Sequence, residues 1–252
     1  MGMRHVAALG LALLAGCAVP QMPAPAPSGR TEAPVPAAPS PSVAVTAPSS
    51  ERARVLAGNF FAAVDRVLPV AERTCREETR DLNCDFAIVV DDRPGLPPNA
   101  FQTLDPNGRP VIGFTLSLIA QADNQDELAF IIGHETAHHI AGHLARSRNS
   151  AILGASIAGV LARVGGADAA VIRSAQDIGA NVGARRYSKS FELEADSLGT
   201  VIAARAGYDP VRGSLYFNRS PDPGNAFLGT HPPNAERLRV VRETAAGLRG
   251  GG

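Results

Sequence analysis

The sequence predicts an α+β fold that is mainly helical, with a small β-sheet beside the central helix. Apolar residues recur at helical spacing in residues 51–73 and again from 124 to 145. Between these helices, residues 86–114 contain short runs of β-branched and aromatic residues separated by turn-forming residues. The chain of 252 residues is long enough for one medium-sized domain with a substantial core, and for additional segments.

The charge balance argues against a nucleic-acid partner. The chain has 24 Lys and Arg residues and 24 Asp and Glu residues, and it contains no basic run. All three methionines precede residue 23, so the composition changes sharply between the N-terminal part and the rest. We therefore expect the first part of the chain to be separate from the folded domain.

The N-terminus is predicted to direct export and lipid anchoring. An apolar stretch at residues 6–14 is too short to serve as a stable membrane-spanning anchor. It ends in Leu14-Ala15-Gly16-Cys17, which resembles the bacterial lipobox. This resemblance implies a signal peptide at 1–16 and a lipid on Cys17, and Ala18 after the cysteine implies the outer membrane. The alternative is an ordinary secretory signal with an incidental cysteine.

Residues 17–50 are predicted to form a disordered tether behind the lipid. After the cysteine they are mostly Pro, Ala and Ser, and they cannot bury enough apolar surface to fold. In a polyproline II conformation the segment would reach roughly 100 Å. The folded domain is therefore predicted to comprise residues 51–252.

The first helix is followed by two cysteines and then by the predicted sheet. Because Cys17 is assigned to the lipid, Cys75 and Cys84 form the remaining pair in an exported chain, which favours a disulfide closing a short loop. A strand is predicted at 86–90, followed by a hairpin at 100–114.

An edge strand beside a metal-binding helix can pair with an extended peptide and hold its backbone by main-chain hydrogen bonds. We hypothesise that the segment 109–114 provides this edge. A short helix is predicted at 115–122, directly before the central helix.

The central helix contains His134-Glu135-x-x-His138, a spacing typical of metal-binding helices. Residues four apart lie about 40° apart around a helix, so both imidazoles can reach one Zn²⁺ ion. Glu135 falls beside the pair and is placed to act on a water molecule. Asn124, three residues before Glu127, predicts the start of this helix by a capping box. The alternative is a histidine cluster that needs no metal.

A catalytic zinc site uses three protein ligands, so this motif needs a third one. Metzincin-type sites take their third ligand from a histidine six residues after the second one. Here that position is Leu144, which cannot bind a metal ion. His143 lies about 140° from His138 if the helix stays regular, so it is not expected to share the ion. A carboxylate from further along the chain is therefore required.

The segment 191–196 (FELEAD) offers such carboxylates on a predicted helix. Glu192 and Asp196 lie four residues apart on one side of that helix, and Glu194 lies on the other side. One of the first pair can bind metal while the other orients a ligand histidine. Helical geometry alone does not choose between the two glutamates.

Residues 150–184 are rich in Ala, Gly, Ile and Val and are predicted to form two closely packed helices. The longest uncharged apolar run, 151–162, is too short to span a membrane. The alternative is a surface that touches a bilayer or a partner.

The two motifs together resemble those of the HExxH/ExxxD zinc metallopeptidases, the family of the CaaX-prenyl, HtpX and Oma-type proteases. The matching residues are GHExxH at 133–138 and YSKxxExxAD at 187–196, within a resemblance that extends from about residue 100 to 237. It implies a zincin-like fold with His134, His138 and Glu192 as zinc ligands, Glu135 as catalytic base and Asp196 in support. Together with the lipobox, the chain resembles the periplasmic BepA/LoiP-like branch, which implies misfolded or unassembled envelope proteins as polypeptide substrates.

A second element, Thr230-His231-Pro232 followed by Arg237, also resembles this family. It comes after a Pro- and Gly-rich loop at 221–229. The resemblance implies that His231 is either a fourth, inhibitory zinc ligand or a group that steadies the oxyanion. The simpler alternative is a histidine at the start of a helix at 234–248.

The sequence therefore predicts a membrane-anchored periplasmic zinc endopeptidase. An alternative is a chaperone-like outer-membrane protein assembly factor with a structural zinc. Glu135 argues against this alternative, because a structural site needs no base and usually closes with four protein ligands. A third possibility is a structural lipoprotein with fortuitous motifs.

Overall fold

The computed structural model of this chain describes residues 50–186, 188–222 and 232–250. The helices are α1 (Ser50–Glu78), α2 (Leu116–Gln121), α3 (Gln125–Ile140), α4 (His143–Val164), α5 (Ala169–Arg186), α6 (Ser188–Arg205), α7 (Pro210–Gly213) and α8 (Asn234–Gly250), with a 3₁₀ turn at Ser214–Asn218. The strands are β1 (Ala87–Asp91), β2 (Ala100–Leu104) and β3 (Pro110–Thr115). This mainly helical α+β architecture confirms the predicted fold class. Within the described ranges, no helix is both long and apolar enough to cross a bilayer.

The three strands form one sheet in the order β1-β3-β2. β2 and β3 are antiparallel and form the predicted hairpin, whereas β1 pairs with β3 in parallel. The prediction that 109–114 is an edge strand is therefore wrong, because β3 is paired on both sides. Among the strands that the structure describes, β1 and β2 are the edges, and β2 is the strand that packs most closely on α3.

α3 lies at the centre of the domain, and 13 of its 16 residues are buried. α1, α6 and the sheet enclose it, and their apolar side chains share one core. The helix begins as predicted, since the Asn124 side chain accepts a hydrogen bond of 3.1 Å from the backbone N–H of Glu127. A helix buried on almost every side holds its side chains in fixed positions, which suits a metal-binding helix.

Two glycines allow α3 and α6 to approach closely. A Cβ atom at Gly133 would lie 2.8 Å from the carbonyl oxygen of Gly199, and one at Gly199 would lie 2.7 Å from the backbone nitrogen of His134. Any larger residue would push the helices apart. This contact lies about two turns from Glu192 and one turn from Asp196, so it brings both carboxylates toward the histidines of α3.

α3 ends earlier than the regular helix assumed from the sequence. Its last residue is Ile140, and α4 begins at His143 after Gly142, which has a φ of +66°. This left-handed residue turns the chain, so the 140° separation expected between His138 and His143 does not apply. The assumption of a continuous helix was wrong, and the turn brings the two rings together.

α4 and α5 form an antiparallel hairpin, as predicted for residues 150–184. Their contact is made by small residues, and a Cβ atom at Gly154 would collide with the Gly179 carbonyl. The two helices pack mainly on each other and touch the rest of the domain through few contacts. The hairpin is therefore an extension placed between the two halves of the metal-binding motif.

Cys75 at the end of α1 and Cys84 form a disulfide, with their Cα atoms 5.7 Å apart. The loop that it closes contacts α3, because Nε2 of His139 lies 2.8 Å from the carbonyl oxygen of Asn83. The predicted signal peptide, tether and lipid-bearing Cys17 lie outside the described residues.

Candidate metal centre

His134 and His138 from α3 and Glu192 from α6 meet at one point. The two Nε2 atoms are 3.1 Å apart, and the Glu192 carboxylate oxygens lie 3.5 Å from Nε2 of His134 and 3.4 Å from Nε2 of His138. The three side chains can present one ligand atom each within 4.8 Å of one another. Among the described residues, this is the group of histidine, cysteine and acidic side chains that could hold a metal ion.

These separations fit a tetrahedral ion. Bonds of about 2.0–2.1 Å at tetrahedral angles place ligand atoms about 3.3–3.4 Å apart, close to the three observed distances. Two imidazoles and one carboxylate also form a donor set found in catalytic zinc sites, which keep a further position for water. Of the two glutamates left open by the sequence, Glu192 is the one that meets the histidines.

Asp196 and Arg237 hold the other side of His134. Nδ1 of His134 lies 3.0 Å from Oδ1 of Asp196, and the Arg237 guanidinium donates two hydrogen bonds of 2.6 and 2.7 Å to the same carboxylate. Burial lowers the pKa of His134, but hydrogen bonds to Asp196 and Glu192 outweigh burial and raise this pKa to about 9. Burial raises the pKa of Asp196, but hydrogen bonds with His134 and Arg237 outweigh it and keep this pKa below its usual range.

A second chain of hydrogen bonds holds His138. Its Nδ1 lies 2.8 Å from Nδ1 of His143, and Nε2 of His143 lies 3.1 Å from a carboxylate oxygen of Glu194. Arg146 donates a hydrogen bond of 2.8 Å to the same oxygen. The His143 ring is buried and stacks on Phe191, with ring centroids 4.5 Å apart.

These hydrogen bonds fix the tautomers of the His138 and His143 rings. Burial lowers the pKa of His143 to about 4, so the ring is neutral at pH 7 and carries one proton. When that proton lies on Nε2, facing Glu194, Nδ1 of His143 accepts the proton of His138 Nδ1. Nε2 of His138 is then left with a lone pair that faces His134 and Glu192, as a metal ligand requires.

Glu135 lies half-buried beside the cluster. It borders a cleft of about 660 Å³ that also contains His134, His138 and Glu192. Burial raises the pKa of the Glu135 carboxyl above its usual value. A carboxyl group of raised pKa next to a candidate metal site, in an open cleft, has the position and chemistry of a proton carrier.

Sequence reasoning missed parts of this site. His143 was set aside as a ligand, and its contact with His138 was not foreseen because it depends on the turn at Gly142. Arg237 was noted only as part of a motif, and it proves to be buried against Asp196 with its guanidinium 3.9 Å from the centre of the Phe217 ring. His231 lies outside the described residues, so its predicted role stays a prediction.

Comparison with known proteins places this site in context. Residues 66–245 match the family model described as "Peptidase family M48". The chain is 31% identical over 160 residues to the mitochondrial metalloendopeptidase OMA1 of Saccharomyces cerevisiae, covering 60% of this chain and 44% of that protein. For the protein of the same name from Arabidopsis thaliana, identity is 30% over 142 residues, covering 55% of this chain and 28% of that protein.

A bacterial relative is also similar. Identity to the beta-barrel assembly-enhancing protease of Escherichia coli is 27% over 150 residues, covering 53% of this chain and 30% of that protein. The chain therefore spans less than half the length of each of these relatives. The matched region includes both halves of the candidate metal centre.

Proposed function

The chain belongs to peptidase family M48, and from this membership we propose that it is a zinc-dependent endopeptidase acting on polypeptides of the bacterial envelope. The observation that carries the proposal is the meeting of His134, His138 and Glu192 at tetrahedral separations, with Glu135 beside them in an open cleft. The residues present suit a catalytic ion better than a structural one, because three protein ligands leave a position for water.

In this proposal, the ion is held by Nε2 of His134, Nε2 of His138 and the Glu192 carboxylate. When bound, zinc polarises the scissile carbonyl group and lowers the pKa of a water molecule to about 7. Asp196 and His143 orient the two imidazoles through their outer nitrogens. Such outer partners typically change metal affinity by about 10–100-fold when they are removed.

Glu135 is proposed to move the proton. It takes a proton from the attacking water and later delivers it to the leaving amine. Burial raises the pKa of its carboxyl above the usual value, which makes this group a better proton acceptor than an exposed carboxylate. Among the described residues, the acidic side chains that line this cleft are Glu135 and Glu192. Glu192 is assigned to the ion, which leaves Glu135 as the proton carrier.

The substrate backbone is proposed to pair with β2. Ala100 of this strand borders the main cleft, and Gln102 borders a smaller one that contains Glu135 and His138. An extended peptide could add to the free edge of β2 and cross the metal centre with its backbone fixed. β2, and not the segment 109–114, is therefore the strand proposed to hold the peptide.

The envelope location and the substrates rest on sequence and on relatives. The lipobox-like residues at 14–17 support a lipid anchor in the outer membrane, facing the periplasm. The Escherichia coli relative is named for enhancing beta-barrel assembly, and this name supports our proposal that unassembled proteins of the envelope are among the substrates. An assembly factor with structural zinc is the competing proposal.

The test is Glu135→Gln. We expect this variant to bind one zinc per chain, as the wild type does, and to lose cleavage of casein by about 10²–10⁴-fold, since the proton carrier is gone. Glu243→Gln, which changes an exposed glutamate on α8, is the matched control and should keep both properties. Undiminished cleavage by Glu135→Gln would refute the assignment, and full cellular function without cleavage would favour the assembly factor.

A further inference from the structure

The α4–α5 hairpin carries an unusual share of exposed apolar side chains. Nine of the nineteen large hydrophobic residues that are exposed in the described chain lie on these two helices. The most exposed of them is Val164 at the end of α4, at 82%. Such a concentration marks an interaction surface rather than scattered surface residues.

Seven of these nine residues form one stripe on each helix, and Ile152 and Leu161 lie outside the stripes. On α4, Leu153, Ile157 and Val160 continue to Val164 at spacings of four, three and four residues. On α5, the stripe consists of Val171, Ile178 and Val182. Residues at these spacings project from one side of a helix.

Both stripes point to the same face of the hairpin. The helices meet along Gly154 and Gly179, and the residues of each stripe are displaced from these glycines by about 60–120° in the same sense along their own chain. Because the helices are antiparallel, these two displacements lead to one side. We call this side, formed by the two stripes, the apolar face.

The opposite face is mainly charged. Arg148, Arg173 and Asp177 are exposed and are displaced from the contact in the other sense, and the exposed Arg163 points directly away from the contact. Ile152 is the large apolar residue on that side. A helix pair with one apolar face and an arginine-rich opposite face is typical of segments that lie in the plane of a membrane surface.

The charge of the hairpin favours an anionic partner. Residues 143–186 contain six arginines and two aspartates, a net charge of +4, whereas the whole chain has a formal charge of zero. Two copies of this chain joined by their apolar faces would turn their charged faces outward and leave the net charge of +4 on each hairpin uncompensated. An anionic lipid surface instead attracts each arginine near it, by about 1 kcal/mol per residue.

We propose that the apolar face of the α4–α5 hairpin binds the surface of an anionic phospholipid bilayer. The predicted tether supports this occupant, because a lipid on Cys17 and about 33 further residues would keep the hairpin within reach of the membrane. Two weak membrane signals give stable attachment where one would be marginal. The contact is independent of the proposed peptidase activity, since it uses no residue of the metal centre.

The chain contains no tryptophan, so single tryptophans can report on each face separately. Val160→Trp places the probe on the apolar face, and Ile152→Trp places a matched control on the opposite face of the same helix. The whole chain is mixed with vesicles of phosphatidylglycerol and phosphatidylethanolamine that carry brominated acyl chains. We expect vesicles to shift the emission of Val160→Trp to shorter wavelengths and to quench it, while Ile152→Trp changes little.

Variants without the probes measure the strength of the contact. Ile157→Ser combined with Val160→Ser should weaken vesicle binding of the hairpin at least about tenfold. Arg163→Gln should weaken binding to anionic vesicles about fivefold and leave binding to phosphatidylcholine vesicles unchanged. Because these side chains are exposed, the fold should persist, and the circular dichroism spectrum checks this.

Three results would overturn the proposal. Equal quenching of the two tryptophans, or none, would show that the apolar face does not enter the bilayer. A concentration-dependent shift of Val160→Trp without vesicles would assign the face to a second copy. A shift caused by unfolded casein, again without vesicles, would assign it to polypeptides.

Discussion

His143 contacts the candidate metal centre through another histidine instead of through an ion. Its Nδ1 lies 2.8 Å from Nδ1 of His138, and its Nε2 faces the Glu194 carboxylate, so a neutral His143 protonated at Nε2 can accept the proton of His138. Such a neutral acceptor leaves the metal-facing nitrogen of His138 free to bind and holds the ring in one orientation. The segment 191–196 therefore has two functions. Glu192 contacts His134 and His138 directly, and Glu194 supports His138 indirectly through His143.

His143→Leu should weaken zinc binding about 10–100-fold, because the His138 ring loses the partner that fixes its tautomer. Competition with a chromophoric chelator measures the affinity. His139→Leu is the matched control, since it removes a buried ring of the same segment that contacts Asn83 and not the cluster. If both variants lose zinc affinity equally, the loss comes from a general disturbance of α3. His143 then has no specific role in orienting His138.

Zinc binding should release protons. With no ion bound, the His134 pKa of about 9 keeps both ring nitrogens protonated at pH 7, held by Asp196 and Glu192. The ion must displace the proton on Nε2, so His134 alone should make the affinity rise about tenfold per pH unit between pH 6 and 8.

Calorimetry in buffers of different ionisation enthalpy counts the released protons. Asp196→Asn removes the main hydrogen bond that raises the His134 pKa, so this variant should release fewer protons at pH 8 than the wild type. Proton release near zero in the wild type at pH 7 would contradict the argument.

At the scale of elements, the break between α3 and α4 controls where His143 lies. Gly142 has a φ of +66°, and no atom lies within 4 Å of the position that a Cβ would take. Gly142→Ala should therefore destabilise the domain by backbone strain alone, by about 1 kcal/mol. Urea unfolding followed by circular dichroism measures the change.

Gly58→Ala in α1 provides the matched control for this strain. Its Cβ also meets nothing within 4 Å, but its backbone is helical. Replacing glycine by alanine inside a helix should stabilise the domain by about 0.5–1 kcal/mol. If the free energy of unfolding falls in Gly142→Ala and rises in Gly58→Ala, the backbone at Gly142 is strained. If it changes in the same direction in both variants, strain at Gly142 is excluded.

The elements that could be predicted from the sequence are those with local causes. The Asn124 cap sets the start of α3, and the turn around Asn107 and Gly108 joins β2 to β3. The small residues of α4 and α5 likewise predict a closely packed pair of helices. Each of these features depends on residues close together in the chain, so a pattern of spacing is sufficient to find it.

The features that could not be predicted depend on distant contacts. A glycine can remain inside a helix at a cost of about 1 kcal/mol, so Gly142 did not reveal that α3 ends. β3 is central because β1 pairs with it across a long connection, which no spacing within 109–114 records. The choice of Glu192 over Glu194 follows from the approach of α3 and α6 at Gly133 and Gly199.

At the scale of the whole molecule, the metal centre joins elements that are far apart in the chain. His134 and His138 come from α3 and Glu192 from α6, while Arg237 connects α8 to the same cluster through Asp196. An ion held by the first three residues therefore ties the HExxH helix to a helix about fifty residues later. Its removal should loosen the packing of α3, α6 and α8 against one another.

Metal removal should accordingly lower the thermal stability of the domain. A ligand present at 100 times its Kd stabilises the folded state by about 2.7 kcal/mol, which for a domain of this size corresponds to roughly 5–10 °C in Tm. A chelator such as EDTA should produce this loss in differential scanning calorimetry. Zinc should restore the Tm and magnesium should not, because imidazole nitrogens favour zinc over magnesium.

Glu192→Gln separates metal linkage from other effects of the chelator. The substitution keeps the size of the side chain but weakens the third ligand, so the chelator should lower the Tm of this variant much less than that of the wild type. If EDTA destabilises both proteins equally, the ion does not stabilise the domain through this cluster. If zinc raises the Tm of the wild type but not of the variant, the ion stabilises the domain by connecting α3 to α6 through His134, His138 and Glu192.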